Sequence, residues 1–332
     1  MEDSFFRTSG EAQLDRAKGC LFGQFIGDSL GGLVEFKTSE YIQKHYPDGV
    51  RDLADGGTFS NLAGQATDDS EMALALARTL DKDGEYIQEN VRKAYVSWFA
   101  GAFDYGFATL NALGNGRPLS DTEANGAMMR VSPLGIWCAE RYDTRKKEGF
   151  AEIARLARTD AAITHPTKVC ADANTLYVAA IADAVRYGDT REEIFERICV
   201  WCQEIDAAES VKNAVENARK EPPLSEFSLH KGWVLVAFQN ALYQLLHAEN
   251  FEEALVDTIS YGHDTDTNAA ICGALMGAVT GFKAIPTRWS DVISVCRPGK
   301  GNPRTSHPKP AFYWPCDAAE LAEKLLKMRM TV

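Results

Sequence analysis

The sequence predicts an all-α fold. Apolar residues recur at three- and four-residue spacing through most of the chain, alternating runs bounded by hairpin signals are nearly absent, and Gly and Pro collect between the periodic segments. The periodic segments cover 85–101, 170–187, 230–247, 250–260, 267–282 and 317–330. In 230–247 the apolar set is Trp233, Val234, Ala237, Leu242, Leu245 and Leu246. The pattern as a whole predicts about a dozen helices and no sheet. The links fall at Asp55-Gly56-Gly57, Gly114-Asn115-Gly116 and Glu221-Pro222-Pro223. No composition shift, internal repeat or low-complexity run divides the chain, which predicts one domain over 1–332. One stretch stands apart. Cys296 to Pro310, rich in Gly, Pro, Lys and Arg, reads as a loop leading to Phe312-Tyr313-Trp314-Pro315 and a final helix.

A chain of 332 residues buries a large core without staples. Its formal charge of -12 and pI of about 5.1 disfavour nonspecific nucleic-acid binding, which needs many Lys and Arg contacts to phosphate. The start, Met-Glu-Asp-Ser-Phe-Phe-Arg, lacks a basic region leading into an apolar one. No run of about 18 apolar residues is present. The expectation is a cytoplasmic protein without signal peptide or membrane span. Cys20, Cys138, Cys170 and Cys272 sit inside helical patterns and read as buried small hydrophobes. Cys199 and Cys202 form a lone C-x-x-C with neither a second pair nor a βαβ context, so a zinc or redox role is not expected.

Two acidic clusters share a design. Thr67-Asp68-Asp69-Ser70-Glu71 precedes the helical run from Met72 to Leu80, and His263-Asp264-Thr265-Asp266-Thr267-Asn268 precedes the run from Ala269 to Gly281. Capping explains one such residue per helix, since Asp, Thr and Ser accept from orphan amides and the dipole favours negative charge there. Asp68 with Glu71 even has capping-box spacing. Adjacent, mutually repelling carboxylates, twice in one chain, exceed that need and point instead to a cation. Spacing alone leaves both readings open. An all-oxygen donor set would suit Mg²⁺, Mn²⁺ or Ca²⁺ rather than Zn²⁺. Asp264-x-Asp266-x-Asn268 imitates an EF-hand start, but Ala269 and Leu275 replace its Gly and Glu. Ligands must therefore converge from distant segments.

Other segments carry weaker signals. Gly27-Asp28-Ser29-Leu30-Gly31-Gly32-Leu33-Val34-Glu35 reads as an interruption of a helix beginning near Ala17, and its glycines admit close approach of backbone or ligand. Glu35 is either a plain surface glutamate or a ligand. Asn125-Gly126-Ala127-Met128-Met129-Arg130 leads into a helix, whose first amides can hold a phosphate or simply open a core helix. His165, in Thr164-His165-Pro166, reads as a residue capping a helix end or as a polar contact at the mouth of a site. The phosphate-loop, dinucleotide-fold, zinc-protease and nucleophile-elbow signatures are absent.

Taken in order, these segments resemble the ADP-ribosylglycohydrolase family, the group of dinitrogenase reductase-activating glycohydrolase and the ADP-ribosyl-acceptor hydrolases. The resemblance rests on Gly27-Asp28-x-x-Gly31-x-x-x-Glu35, Thr67-Asp68-Asp69, Trp98 through Phe103-Asp104-x-Gly106, Asn125 to Arg130, Thr164-His165-Pro166, and Asp264-Thr265-Asp266-Thr267 with Gly273-x-x-x-Gly277. Tyr313-Trp314-Pro315 resembles bacterial members. The matches span roughly 15–330.

The resemblance implies an orthogonal helical bundle around two Mg²⁺ or Mn²⁺ ions. Thr67, Asp68, Asp69 and Asp266 would hold one ion; Glu35, Asp264, Asp266 and Thr267 would hold the other, with Asp266 bridging. His263 departs from the pattern, standing where many members have Gly or Asn. The implied reaction releases ADP-ribose from a modified protein side chain, with Asp68 or Glu35 as acid or base. The backbone of Asn125, Gly126, Ala127 and Met128 would cradle the phosphates, and His165 would contact the ligand. Asp104, beside the departing group, implies an arginine linkage. Alternatives are a hydrolase of serine-linked or small-molecule ADP-ribose conjugates and an inactive, crystallin-like relative.

Overall fold

The computed structural model describes residues 10–223, 227 and 231–327. Fifteen α-helices have both ends within these residues. They are α1 (Gly10–Gly31), α2 (Ser39–His45), α3 (Asp68–Asp83), α4 (Gln88–Phe99), α5 (Phe107–Thr109), α6 (Ser132–Arg141), α7 (Lys147–Ala161) and α8 (Lys168–Tyr187). There follow α9 (Arg191–Glu204), α10 (Glu209–Asn217), α11 (Val234–His247), α12 (Phe251–Ser260), α13 (Thr265–Thr280), α14 (Thr287–Val295) and α15 (Ala318–Leu326). Extended pairing among the described residues is limited to three isolated bridges, Thr38 with Gly262, Gly56 with Asn61 and Ala124 with Trp233. The all-α expectation holds. Of the periodic segments, residue 230 and residues 328–330 lie outside the described residues.

Local chemistry sets several helix ends. Thr190 and Glu193 form a full capping box at the start of α9, each side chain accepting from the other's amide. Helices α3 and α8 stop at Gly84 and Gly188, whose φ values of 74° and 71° suit glycine. The buried apolar residues from Ala17 to Leu325 form one contiguous cluster, to which α1, α8 and α13 contribute their whole circumference. Cys20, Cys138, Cys170 and Cys272 are buried in it. No helix is long and apolar enough to cross a membrane among the described residues.

The expectation of an interruption in the first helix is corrected. Helix α1 begins at Gly10 and runs unbroken through Gly27 to Gly31. Its glycines recur every fourth residue and form a seam against α13. A Cβ on Gly19 would stand 2.2 Å from Gly277 O, on Gly23 2.0 Å from Gly273 O, and on Gly27 2.1 Å from Ala269 O. No side chain fits such gaps, so the two backbones touch directly. At the end of the seam, a Cβ on Gly31 would meet Thr265 O at 2.4 Å. The exit of α1, which carries Glu35, is thereby pinned beside the entry of α13, which carries Asp264 and Asp266.

Candidate active site: an acidic cleft

Four chain segments meet at a cleft of about 350 Å³. Glu35 follows α1, Asp68 and Asp69 open α3, Asp104 lies between α4 and α5, and Asp264 and Asp266 open α13. Glu35, Asp68, Asp104, Asp264, Asp266 and Thr267 line the cleft. Thr67 and Asp69 are buried and do not line it. Carboxylate oxygens of Glu35, Asp104 and Asp266 all lie within 4.8 Å of one another. The residues predicted from both acidic clusters thus converge across some 200 positions of sequence. Asp104 joins the carboxylate group itself.

Capping does not account for these clusters. Thr67 and Asp264 hold the N-cap positions of α3 and α13, yet neither side chain makes a cap hydrogen bond. Helix α3 is capped from α1 instead. The Asp28 carboxylate accepts from the amides of Thr67 and Ser70, each at 3.1 Å, and from the Thr67 hydroxyl at 2.9 Å. Glu71 does not close a capping box; it accepts from Trp98 Nε1 and Lys309 Nζ, each at 2.8 Å. At α13, Asp264 Oδ2 accepts from Asn125 Nδ2 at 2.7 Å, and Asp266 Oδ1 from the Thr267 amide at 2.9 Å. Among the described residues, Glu35 Oε2 and Asp69 Oδ1 are left buried with no hydrogen-bond partner. Buried unpartnered carboxylate oxygens are costly unless a cation or a proton answers them.

Electrostatics points the same way. Burial, then repulsion from Asp104, Asp264 and Asp28, raises the Glu35 carboxyl to about 9. Asp68, Asp69 and Asp266 are pushed well above the ordinary range, by burial first and by neighbouring carboxylates second. Burial raises Asp28 and Asp104 to about 6. Carboxyls gathered so closely share protons in the absence of a cation, and the hard-oxygen set fits a divalent one such as Mg²⁺ or Mn²⁺.

The other wall is built for neutral hydrogen bonds. Asn125–Ala127 forms a 3-10 turn, which the Met128 amide closes on Asn125 O at 2.8 Å. Among the described residues, the amides of Gly126 and Ala127 donate to no backbone carbonyl. Asn125, Gly126 and Met129 line the cleft, whereas Ala127 and Met128 are fully buried behind it. Arg130 braces the turn by donating to Gly126 O at 3.0 Å, and it pairs with buried Asp160 at 3.2 Å. In the sequence Arg130 and Asp28 stand out only as parts of motifs, because the partners that give them structural jobs, Asp160 for one and Thr67 and Ser70 for the other, are remote.

His165 is buried and lines the cleft beneath Gly126. Burial, then the Arg130 charge, lowers its pKa to about 3, so the ring is neutral. Thr164 Oγ1 accepts from Arg130 at 2.7 Å and lies 2.7 Å from His165 Nδ1. A hydroxyl that accepts from Arg130 can give its own proton to Nδ1, the tautomer in which Nε2–H is a donor. His263 has φ of 68°, the left-handed region that Gly or Asn enters most easily. Its carbonyl accepts from the Phe36 amide and its amide donates to Lys37 O, both at 2.7 Å, which ties Glu35's segment to Asp264's.

The family model described as ADP-ribosylglycohydrolase matches residues 9–329. The chain is 28% identical over 303 residues to ADP-ribosylarginine hydrolase Tri1 of Pseudomonas putida, covering 86% of this chain and 76% of that one. It is 27% identical over 291 residues to ADP-ribosyl-[dinitrogen reductase] glycohydrolase of Rhodospirillum rubrum, covering 85% and 91%. A solved structure described as an ADP-ribosylglycohydrolase-related protein complex superposes with a TM-score of 0.75 at 25% identity, covering 96% of this chain and all of that one.

Proposed function

This chain belongs to the ADP-ribosylglycohydrolase family, and from that premise we propose that it hydrolyses the bond between ADP-ribose and an arginine side chain of a modified protein. The observation that carries the arginine assignment is the place of Asp104, within 4.8 Å of Glu35 and Asp266. A ribose anchored over the carboxylate cluster puts its anomeric carbon, and hence its leaving group, beside Asp104. A departing guanidine offers a planar fork of donors that a carboxylate accepts in pairs, whereas a serine hydroxyl offers none. The Pseudomonas putida relative, named an ADP-ribosylarginine hydrolase, supports the same reading.

Thr67, Asp68, Asp69 and Asp266 would hold one divalent cation and Glu35, Asp264, Asp266 and Thr267 a second; when bound, the pair would neutralise the cluster and anchor the ribose hydroxyls. Asn125 orients Asp264. The Gly126 amide, with His165 Nε2 below it, faces the diphosphate as a neutral donor. Glu35 or Asp68 moves the proton as water adds to the oxocarbenium-like sugar. Asp104 accepts from the guanidine as the bond to the sugar lengthens. The products are free ADP-ribose and unmodified arginine.

The test uses peptides bearing ADP-ribosyl-arginine or ADP-ribosyl-serine, together with O-acetyl-ADP-ribose, all with Mg²⁺. Release from arginine should exceed release from the others. Asp104→Asn should slow the arginine reaction by about 100- to 1,000-fold, on the scale of losing one preorganised contact in a transition state. Its affinity for free ADP-ribose should change little. Cleavage of the serine linkage alone, or a wild-type rate for Asp104→Asn, would overturn the assignment.

A further inference from the structure

We propose that the loop Cys296–Pro310 is a clamp that fixes Asp104 in the cleft, with His307 and Lys309 as its positioning residues; this rests on the reading of Asp104 as an active-cleft carboxylate.

Asp104 stands where the backbone gives little support. The amides of Gly101 and Ala102 still close the end of α4, on Trp98 O and Phe99 O. Among the described residues, those of Phe103, Asp104 and Tyr105 donate to no backbone carbonyl, and helical structure resumes only at Phe107. Side chains must therefore hold the segment. Phe103 stacks on the His307 ring, with centroids 4.3 Å apart and planes at 15°. Phe59 meets the Phe103 ring edge-on at 5.5 Å. The Lys309 ammonium lies 4.8 Å from the same ring's centroid.

Lys309 is 7% exposed, an unusual setting for a lysine. Its Nζ donates to Glu71 Oε2 and to Gly101 O, both at 2.8 Å. Glu71 belongs to the first turn of α3, the turn that begins with Asp68 and Asp69. One buried ammonium thus joins the helix bearing two cluster carboxylates to the backbone three residues before a third. The loop has its own anchors. His307 O accepts from Gln65 Nε2 at 2.8 Å, the Lys309 amide donates to Pro298 O at 2.7 Å, and Lys309 O accepts from Trp314 Nε1 at 2.9 Å. Neither His307 nor Lys309 lines the cleft. Their influence on chemistry passes through Asp104.

Lys309→Met would strand Glu71 buried without its cation, so the part-exposed His307 carries the test. A cycle of wild type, His307→Ala, Asp104→Asn and the double variant is read on whichever ADP-ribose linkage the wild type cleaves, so a loss of arginine preference leaves it readable. His307→Ala should lower kcat by about 10-fold with KM nearly unchanged, within the range for misplacing a group by an ångström. In the Asp104→Asn background the same change should cost less than about twofold, since the group being positioned is already gone. His307→Phe, which keeps a ring on Phe103, should recover most of the rate. The cycle is repeated as Mn²⁺ affinity, which needs no turnover: the Asp104 carboxylate, within 4.8 Å of Glu35 and Asp266, adds to the field that attracts the cation, so the dependence on His307 should vanish when that carboxylate is absent. An unaltered rate and Mn²⁺ affinity in His307→Ala, or equal losses in the presence and absence of the Asp104 carboxylate, would overturn the clamp.

Discussion

At the scale of single residues the site is a balance between burial and charge. Glu35, Asp68, Asp69 and Asp266 are each more than nine-tenths buried, and their neighbours of charge are other carboxylates, Asp28, Asp104 and Asp264 among them. A carboxyl whose pKa is raised on folding stabilises the fold while protonated. That contribution is complete below its unfolded value, about 4.3 for Glu, and it disappears as pH rises through the folded value, about 9 for Glu35. Metal-free protein should therefore melt at progressively lower temperature from about pH 5 to about pH 9. Cation binding requires the deprotonated forms, so the rise in melting temperature caused by saturating Mg²⁺ should grow across the same range. Melting curves in chelator and in Mg²⁺ at several pH values test both slopes. A shift independent of pH would count against carboxylate ligation. Which residues could be ligands was legible in the sequence, because paired carboxylates flanked by Thr are rare. Whether they serve as caps was not legible, because Asp28 caps α3 from about forty residues away and leaves Asp68 and Asp69 free of that task.

Among the elements, α1 and α13 matter most. Glycine is a poor helix former, so Gly27 and Gly31 suggested a break in α1. Tertiary contact reverses that preference, because the missing Cβ lets the backbone of α13 lie against α1 from Gly19 to Gly31. Periodicity in one helix cannot reveal this, since the seam exists only when Gly19, Gly23 and Gly27 meet Gly277, Gly273 and Ala269. Gly27→Ala should destabilise the protein by roughly 1–3 kcal/mol, the usual cost of overpacking, and weaken Mn²⁺ binding by parting Glu35 from Asp266. Gly10→Ala is the control. It lies in the same helix, but its Cβ would meet nothing within 4 Å, so its effect should be neutral or slightly stabilising. Denaturant titration with parallel Mn²⁺ titration checks the pair, and equal outcomes would reject the seam as the device that aligns the site.

For the whole molecule, helical content followed directly from apolar spacing, because nearly every long helix has a buried face and many have recognisable caps or glycine stops. The convergence of Glu35, Asp68, Asp104 and Asp266 followed only from the order of motifs seen in the resemblance, since no spacing rule joins segments so far apart. The closeness of Asp104 to Glu35 and Asp266 was not legible, because the ring contacts beside it, from Phe59, His307 and Lys309 to Phe103, come from distant segments. The cluster is meaningful only in the complete fold, where α1, α3, α13 and the segment after α4 meet.

The central claim is that this carboxylate cluster acts on ADP-ribose through bound cations. The most direct measurement is release of free ADP-ribose from an ADP-ribosyl-arginine peptide by chelator-stripped protein, recorded as Mg²⁺ is added back. No measurable release is expected before addition, then a saturable rise with Mg²⁺, and no such rise for Asp266→Ala. Full release in chelator, or an undiminished Mg²⁺ response in Asp266→Ala, would contradict it.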